Sequence, residues 1–149
     1  MIRHNWTVVC SHSTIDADTN NISLIEVLEQ LSIKGPPFTD DGEPVIPIEF
    51  DVVTLWSRSN LDQLCQGQAR LQLLAPSGVS LMEKEYPINL SSHSRMRSRT
   101  RFAGFPLKGS GLYQFQVQFR EEDEGDWQDA ASVLLQISIE TPSNGESQS

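Results

Sequence analysis

The 149-residue chain has only two cysteines, Cys10 and Cys65. That is too few for the disulfide framework on which small secreted scaffolds depend. It also lacks any apolar run near the roughly 20 residues that a membrane-spanning helix needs. Positive charge is scarce: 11 Lys and Arg stand against 20 Asp and Glu, a formal net charge of −9. This balance argues against a general duplex-DNA or membrane-surface binder, whose affinity comes from many cationic contacts to phosphate. The stretch from Met1 to Ser11 starts basic but has no apolar core or small-residue cleavage site of a secretory signal. The expected setting is therefore a reducing cytoplasm. Hydrophobic residues are only 38% of the chain, yet a single domain of this length buries roughly two-thirds of its unfolded surface and needs no staple.

What the chain does have is a period of two. Tyr113, Phe115, Val117 and Phe119 alternate with Gln114, Gln116, Gln118 and Arg120, a pattern that a helix rarely produces. Val133, Leu135, Ile137 and Ile139 repeat it, as do Ala69, Leu71 and Leu73, and more briefly Tyr86, Ile88 and Leu90. The run from Ile46 through Ile48, Phe50, Val52 and Thr54 to Trp56 reads as one long strand. One apolar and one polar face per strand is the pattern of antiparallel sheets with a wet side. Two such sheets packed face to face bury the apolar sides. The turns agree: Ala75-Pro76-Ser77-Gly78 is a tight turn, and Glu124-Gly125-Asp126 reads as a hairpin connection. Tyr113, just after Gly109-Ser110-Gly111, resembles the corner tyrosine of immunoglobulin-like sandwiches, whose hydroxyl bonds nearby backbone. The segment from Ser23 to Leu31 supports two readings. Leu24, Val27, Leu28 and Leu31 have helical spacing behind a Ser23/Glu26 capping box. The surrounding rhythm favours a strand paired with Trp6 to Ser11 across the Asp16–Asn21 turn. From Thr141 the chain has no apolar residue, so a single domain over residues 1–140 with a disordered tail over 141–149 is expected.

Several stretches resemble landmarks of an uncharacterised bacterial family of immunoglobulin-like domains. They are Val9-Cys10, the turn Asp16-Ala17-Asp18-Thr19-Asn20-Asn21 and Ser23-Leu24-Ile25-Glu26-Val27. Val53-Thr54-Leu55-Trp56, Leu74-Ala75-Pro76-Ser77-Gly78 and Gly111-Leu112-Tyr113-Gln114-Phe115 continue the likeness, which runs to about Ile139. The resemblance implies an all-β, immunoglobulin-like antiparallel β-sandwich of about seven to nine strands, and a strand over the contested segment. It implies no activity.

Motifs for catalysis are weak. Ser11-His12-Ser13 and Ser91-Ser92-His93-Ser94 put serines beside histidines, but strand neighbours point to opposite faces. Gly104 to Gly109 has phosphate-loop spacing, yet Ser110 stands where the lysine belongs. Cys10 and His12 share a strand face, but a closed zinc site needs four ligands, and Cys10 reads as core beside Val8. Asp16, Asp18 and Asn20 open like a calcium loop, but Asn21 and Val27 occupy the positions of the required glycine and glutamate. No enzyme, no metal and no cofactor is expected.

One constellation stands out. Arg95, Arg97, Arg99 and Arg101 alternate with Met96, Ser98 and Thr100. On a strand they would share one face, about 6.6 Å apart from one to the next. Such a strip suits an anionic partner. It also suits an edge strand guarded by charge, cross-strand pairing with Glu83, Glu85 or the Glu121 cluster, or a polar loop. The expected function is a non-catalytic interaction module whose arginine strip contacts a macromolecular partner. That partner is expected to be protein rather than nucleic acid, and not a membrane. The alternative is a calcium- or small-ligand-binding sandwich using the Asp16–Asn21 and Glu121–Asp129 loops.

Overall fold

In the computed structural model, which describes residues 1–34, 45–121 and 125–140, the period-two segments form strands and no helix occurs among the described residues. The described residues form eleven strands in order: β1 (Ile2–Ile15), β2 (Ile22–Val27), β3 (Gln30–Lys34), β4 (Val45–Ile46), β5 (Phe50–Arg58), β6 (Cys65–Leu74), β7 (Ser80–Leu90), β8 (Arg95–Phe102), β9 (Phe105–Pro106), β10 (Gly111–Glu121) and β11 (Gln128–Glu140). They build a four-stranded sheet, β2-β1-β5-β8, a five-stranded sheet, β3-β11-β10-β6-β7, and a short β4-β9 pair. Among the described residues every pairing is antiparallel except β3 with β11. The protein is all-β, with its core between two sheets.

That core takes the inward residues of both sheets. Phe50, Val52 and Trp56 from β5 meet Tyr113, Phe115 and Val117 from β10, with Leu71, Leu73, Leu135 and Ile137 around them. Rings interlock at offset and edge geometries: Phe50 stacks on Phe102 at 4.8 Å, and Trp56 meets Phe119 edge-on at 5.6 Å. Such pairs add to simple area burial. The polar ends of buried aromatics find partners. Trp56 Nε1 and Ser98 Oγ both donate to the Tyr86 hydroxyl, tying β5 and β8 to β7 of the opposite sheet. The Tyr113 hydroxyl accepts from the Lys108 backbone N–H at 2.6 Å and donates to the Gly109 carbonyl at 2.7 Å. The turn at Ala75 closes with Gly78 N–H on the Ala75 carbonyl, and Gly78 has the positive φ of 94° expected of glycine there.

Three expectations about elements meet the structure in altered form. Over Ser23 to Leu31 the strand reading holds against the helical one, but as two strands in different sheets. Glu26 takes φ of +56°, Leu28 is buried and bonds its N–H to the Val9 carbonyl, and the chain then crosses to run parallel with β11. A break at Leu28–Glu29, after the irregular backbone of Glu26, lets both short strands pair, and pairing outweighs local helical spacing. The β2 register also differs. Its partners run from Cys10 to Ile15 and so overlap the expected Trp6 to Ser11 only at its end, while Trp6 to Cys10 pair with β5. Third, the run from Ile46 to Trp56 is split. Pro47 has no N–H to give to a ladder, Ile48 N–H folds back to the Ile46 carbonyl, and β5 begins at Phe50. The tail 141–149 and the acidic positions 122–124 lie outside the described residues.

Candidate cationic site on the outer face

A one-residue irregularity positions the site. Between His4 and Trp6 the β1–β5 register shifts, with His4 opposite Trp56 but Trp6 opposite Leu55. A bulge of this kind turns the following side chains to the other face. His4 lies against Trp56 in an edge contact of 5.4 Å on the core side. Thr7 and Val9 carry the core face onward, while Trp6 and Val8 turn outward. Opposed residues share a face, so the outer side of the sheet reads in rows: Arg3–Ser57–Arg95, Trp6–Leu55–Arg97, Val8–Val53–Arg99 and Cys10–Asp51–Arg101.

All four arginines therefore stand on the outer face of β8, an edge strand of the four-stranded sheet. They do not form a free strip. The far end of the β1–β2 hairpin lies over this face, and Arg97 and Arg99 hold it. Arg97 donates from both terminal nitrogens to the Asn20 carbonyl at 3.3 and 3.0 Å. Arg99 reaches the Ser13 carbonyl at 3.4 Å. Arg101 forks onto Asp51, with Nε to Oδ1 at 2.9 Å and the second bond at 3.2 Å. Asp51 is 1% exposed and also accepts from Ser13 Oγ at 2.6 Å. Burial pushes its carboxyl up, but the bonds from Arg101 and Ser13 and the charges of Arg101 and Arg99 outweigh this and leave it below the ordinary value. The acid opposite the strip is thus Asp51. Glu83 instead lies 3.6 Å from Arg70, and Glu121 accepts from the Ile2 N–H.

Arg95 differs from the other three. It is exposed, and among the described residues its guanidinium has no hydrogen-bond or ion-pair partner. It borders a cleft of about 510 Å³ lined by Trp6, Leu55 and Ile22 on the apolar side and by Asn20, Asn21, His93, Ser94, Arg95 and Arg97 on the polar side. None of these nine residues is acidic, on a chain whose formal charge is −9. The cleft exists because Arg97 holds Asn20 over the sheet while the 91–94 turn stands on the other side.

The calcium-loop residues do other work. Asp16 Oδ1 accepts from the backbone N–H of Asp18 and Thr19, which holds its carboxyl below the usual range, with the Thr19 bond the larger cause. Asn20 has φ of +61°, the conformation that asparagine tolerates in turns. Among the described residues no group of three or more His, Cys, Asp or Glu stands close enough to hold a metal ion. Cys10 is fully buried, but in the outer row with Asp51 rather than in the inter-sheet core. Burial first, and the Asp51 charge second, push its thiol up. Two features escaped the sequence reading. Trp6 becomes a cleft residue only through the bulge. Trp127 packs against the guanidinium groups of Arg70 and Arg120, at 4.4 and 4.5 Å, on the opposite sheet. No sequence spacing joins Trp127 to Arg70, so that cluster had no local signal.

No protein-family model matches this chain, and no curated protein matches it. Among the described residues no helix is long and apolar enough to cross a membrane.

Proposed function

We propose that the protein is a non-catalytic interaction module, an immunoglobulin-like sandwich of the bacterial family it resembles, working in the cytoplasm and meeting a protein partner at the cationic end of its outer face. The observation that carries this reading is the acid-free lining around Arg95 and Arg97 on a strongly acidic chain. Arg3 adds a further exposed cation in the row of Arg95. The immunoglobulin-like assignment is supported by the Tyr113 corner and by a strand from the N-terminal region running parallel to β11 at the sheet edge. Arginine at an interface serves chiefly as a planar fork for carboxylate or phosphate. The calcium reading gains no comparable support, since the Asp16 carboxylate already caps its own turn.

Because Arg97 and Arg99 hold the hairpin, charge reversal at those positions would confound binding with folding. The test therefore uses Arg3→Glu/Arg95→Glu, with Lys84→Glu on the other sheet as the control and melting curves confirming that each variant folds. A protein retained from native lysate by wild type and by Lys84→Glu, lost with the double variant, and rebinding wild type when purified supports the reading. Retention unchanged by the double variant overturns it.

A further inference from the structure

We infer that the cleft between the Asp16–Asn21 turn and the 91–94 turn is a binding site for a phosphate monoester carried on a flat apolar ring. The inference rests on the cationic face proposed above and assigns it a ligand chemistry.

About 510 Å³ falls within the roughly 300–1,000 Å³ of small-molecule sites. The Arg95 guanidinium has no partner among the described residues, and Arg97 is met only by a neutral carbonyl. Among the described residues, therefore, two positive charges face the cleft without compensation and no carboxylate lines it. A phosphate monoester carries about −1.5 to −2 near neutral pH, which matches two guanidinium groups better than a single carboxylate does. On the strand the two arginines are one pleat repeat apart, about 6.6 Å, so one oxyanion between them can accept from both.

The cleft also has a shape that suits a flat ring. Trp6, Leu55 and Arg97 form one cross-strand row, so the leucine lies beside the cation and the indole beside the leucine. Together with Ile22 they give a ring an apolar seat next to the phosphate position. Asn20, Asn21 and Ser94 supply neutral donors and acceptors around it. Arg97 is held in place by Asn20 before any ligand arrives, which lowers the ordering cost of binding.

The three tryptophans allow a direct test, since each indole N–H gives its own resonance in nitrogen-15-labelled protein. Phenyl phosphate is the probe. Titration should shift the Trp6 signal saturably while Trp56, fully buried, and Trp127, on the other sheet, stay in place. Arg95→Ala should weaken binding by about tenfold or more with an unchanged melting temperature, and Lys84→Ala should leave it intact. Inorganic phosphate lacks the ring, phenol lacks the anion and benzoate halves the charge. Each should bind more weakly than phenyl phosphate. Binding by phenol or benzoate as tight as by phenyl phosphate, a shift at Trp127 instead of Trp6, or indifference to Arg95→Ala overturns the inference. O-phosphotyrosine and adenosine monophosphate then separate an aryl phosphate on a partner from a free nucleotide, tighter binding naming the source. Loss of lysate capture in Arg3→Glu/Arg95→Glu together with no phenyl phosphate binding to wild type removes the ligand inference and leaves the interaction module standing.

Discussion

At Asp51, a carboxylate with 1% of its surface exposed accepts hydrogen bonds from Arg101 and Ser13. Its folded-state carboxyl lies below the ordinary value of 3.8 despite the opposing effect of burial. A lowered value means that ionised Asp51 stabilises the fold fully above about pH 4, and that this contribution fades as pH falls through the folded-state value. Asp51→Asn should therefore melt at a lower temperature than wild type at pH 7, and the gap between the two should narrow toward pH 2–3 in thermal scans. Tyr113 gives a second prediction, independent of pH. Its hydroxyl bonds both the Lys108 N–H and the Gly109 carbonyl. Tyr113→Phe should cost about 1–2 kcal/mol in denaturant unfolding, with the ring packing against Phe105 retained.

The elements show where sequence carried the fold and where it did not. Strands such as β10 and β11 were legible because one residue in two must be buried on a sheet with one wet face, and Tyr113, Phe115 and Val117 obey that rule. β1 was not legible in this way. Ile2, His4, Trp6, Val8 and Cys10 share a parity, and only the extra residue at the His4–Trp6 register shift moves Trp6 to the outer face. A bulge is a property of the pairing partner as much as of the strand, so one strand's sequence does not reveal it. The same holds for the site. The alternation of Arg95 to Arg101 was plain, but the hairpin over it depends on contacts between residues some 75 to 90 positions apart, such as Arg97 with Asn20 and Arg99 with Ser13. Arg97→Ala/Arg99→Ala should release that hairpin end. Amide exchange over residues 16–22 should quicken on the order of tenfold, while protection in β10 and β11 stays at the wild-type level.

Among the described residues the two main sheets end in four edge strands, β2 and β8 on one and β3 and β7 on the other. Edges invite pairing with another chain unless charge or proline blocks them. β7 carries Glu83, Lys84, Glu85 and Pro87, and β8 carries the arginines. The β8 residues thus serve twice, as guards of an edge and as holders of the hairpin. The strand β11 sits between β10 and β3, so β3 cannot take its place until residues 128–140 exist. Nearly a hundred residues separate Lys34 from Gln128. At about 5–20 residues per second of synthesis, the β3 segment waits roughly 5–20 s on the ribosome with Leu31 and Ile33 lacking the strand they pack beside. A nascent chain halted before Gln128 should therefore be a better chaperone client than one extended past Glu140, and the cell meets this protein first as an unfinished sheet.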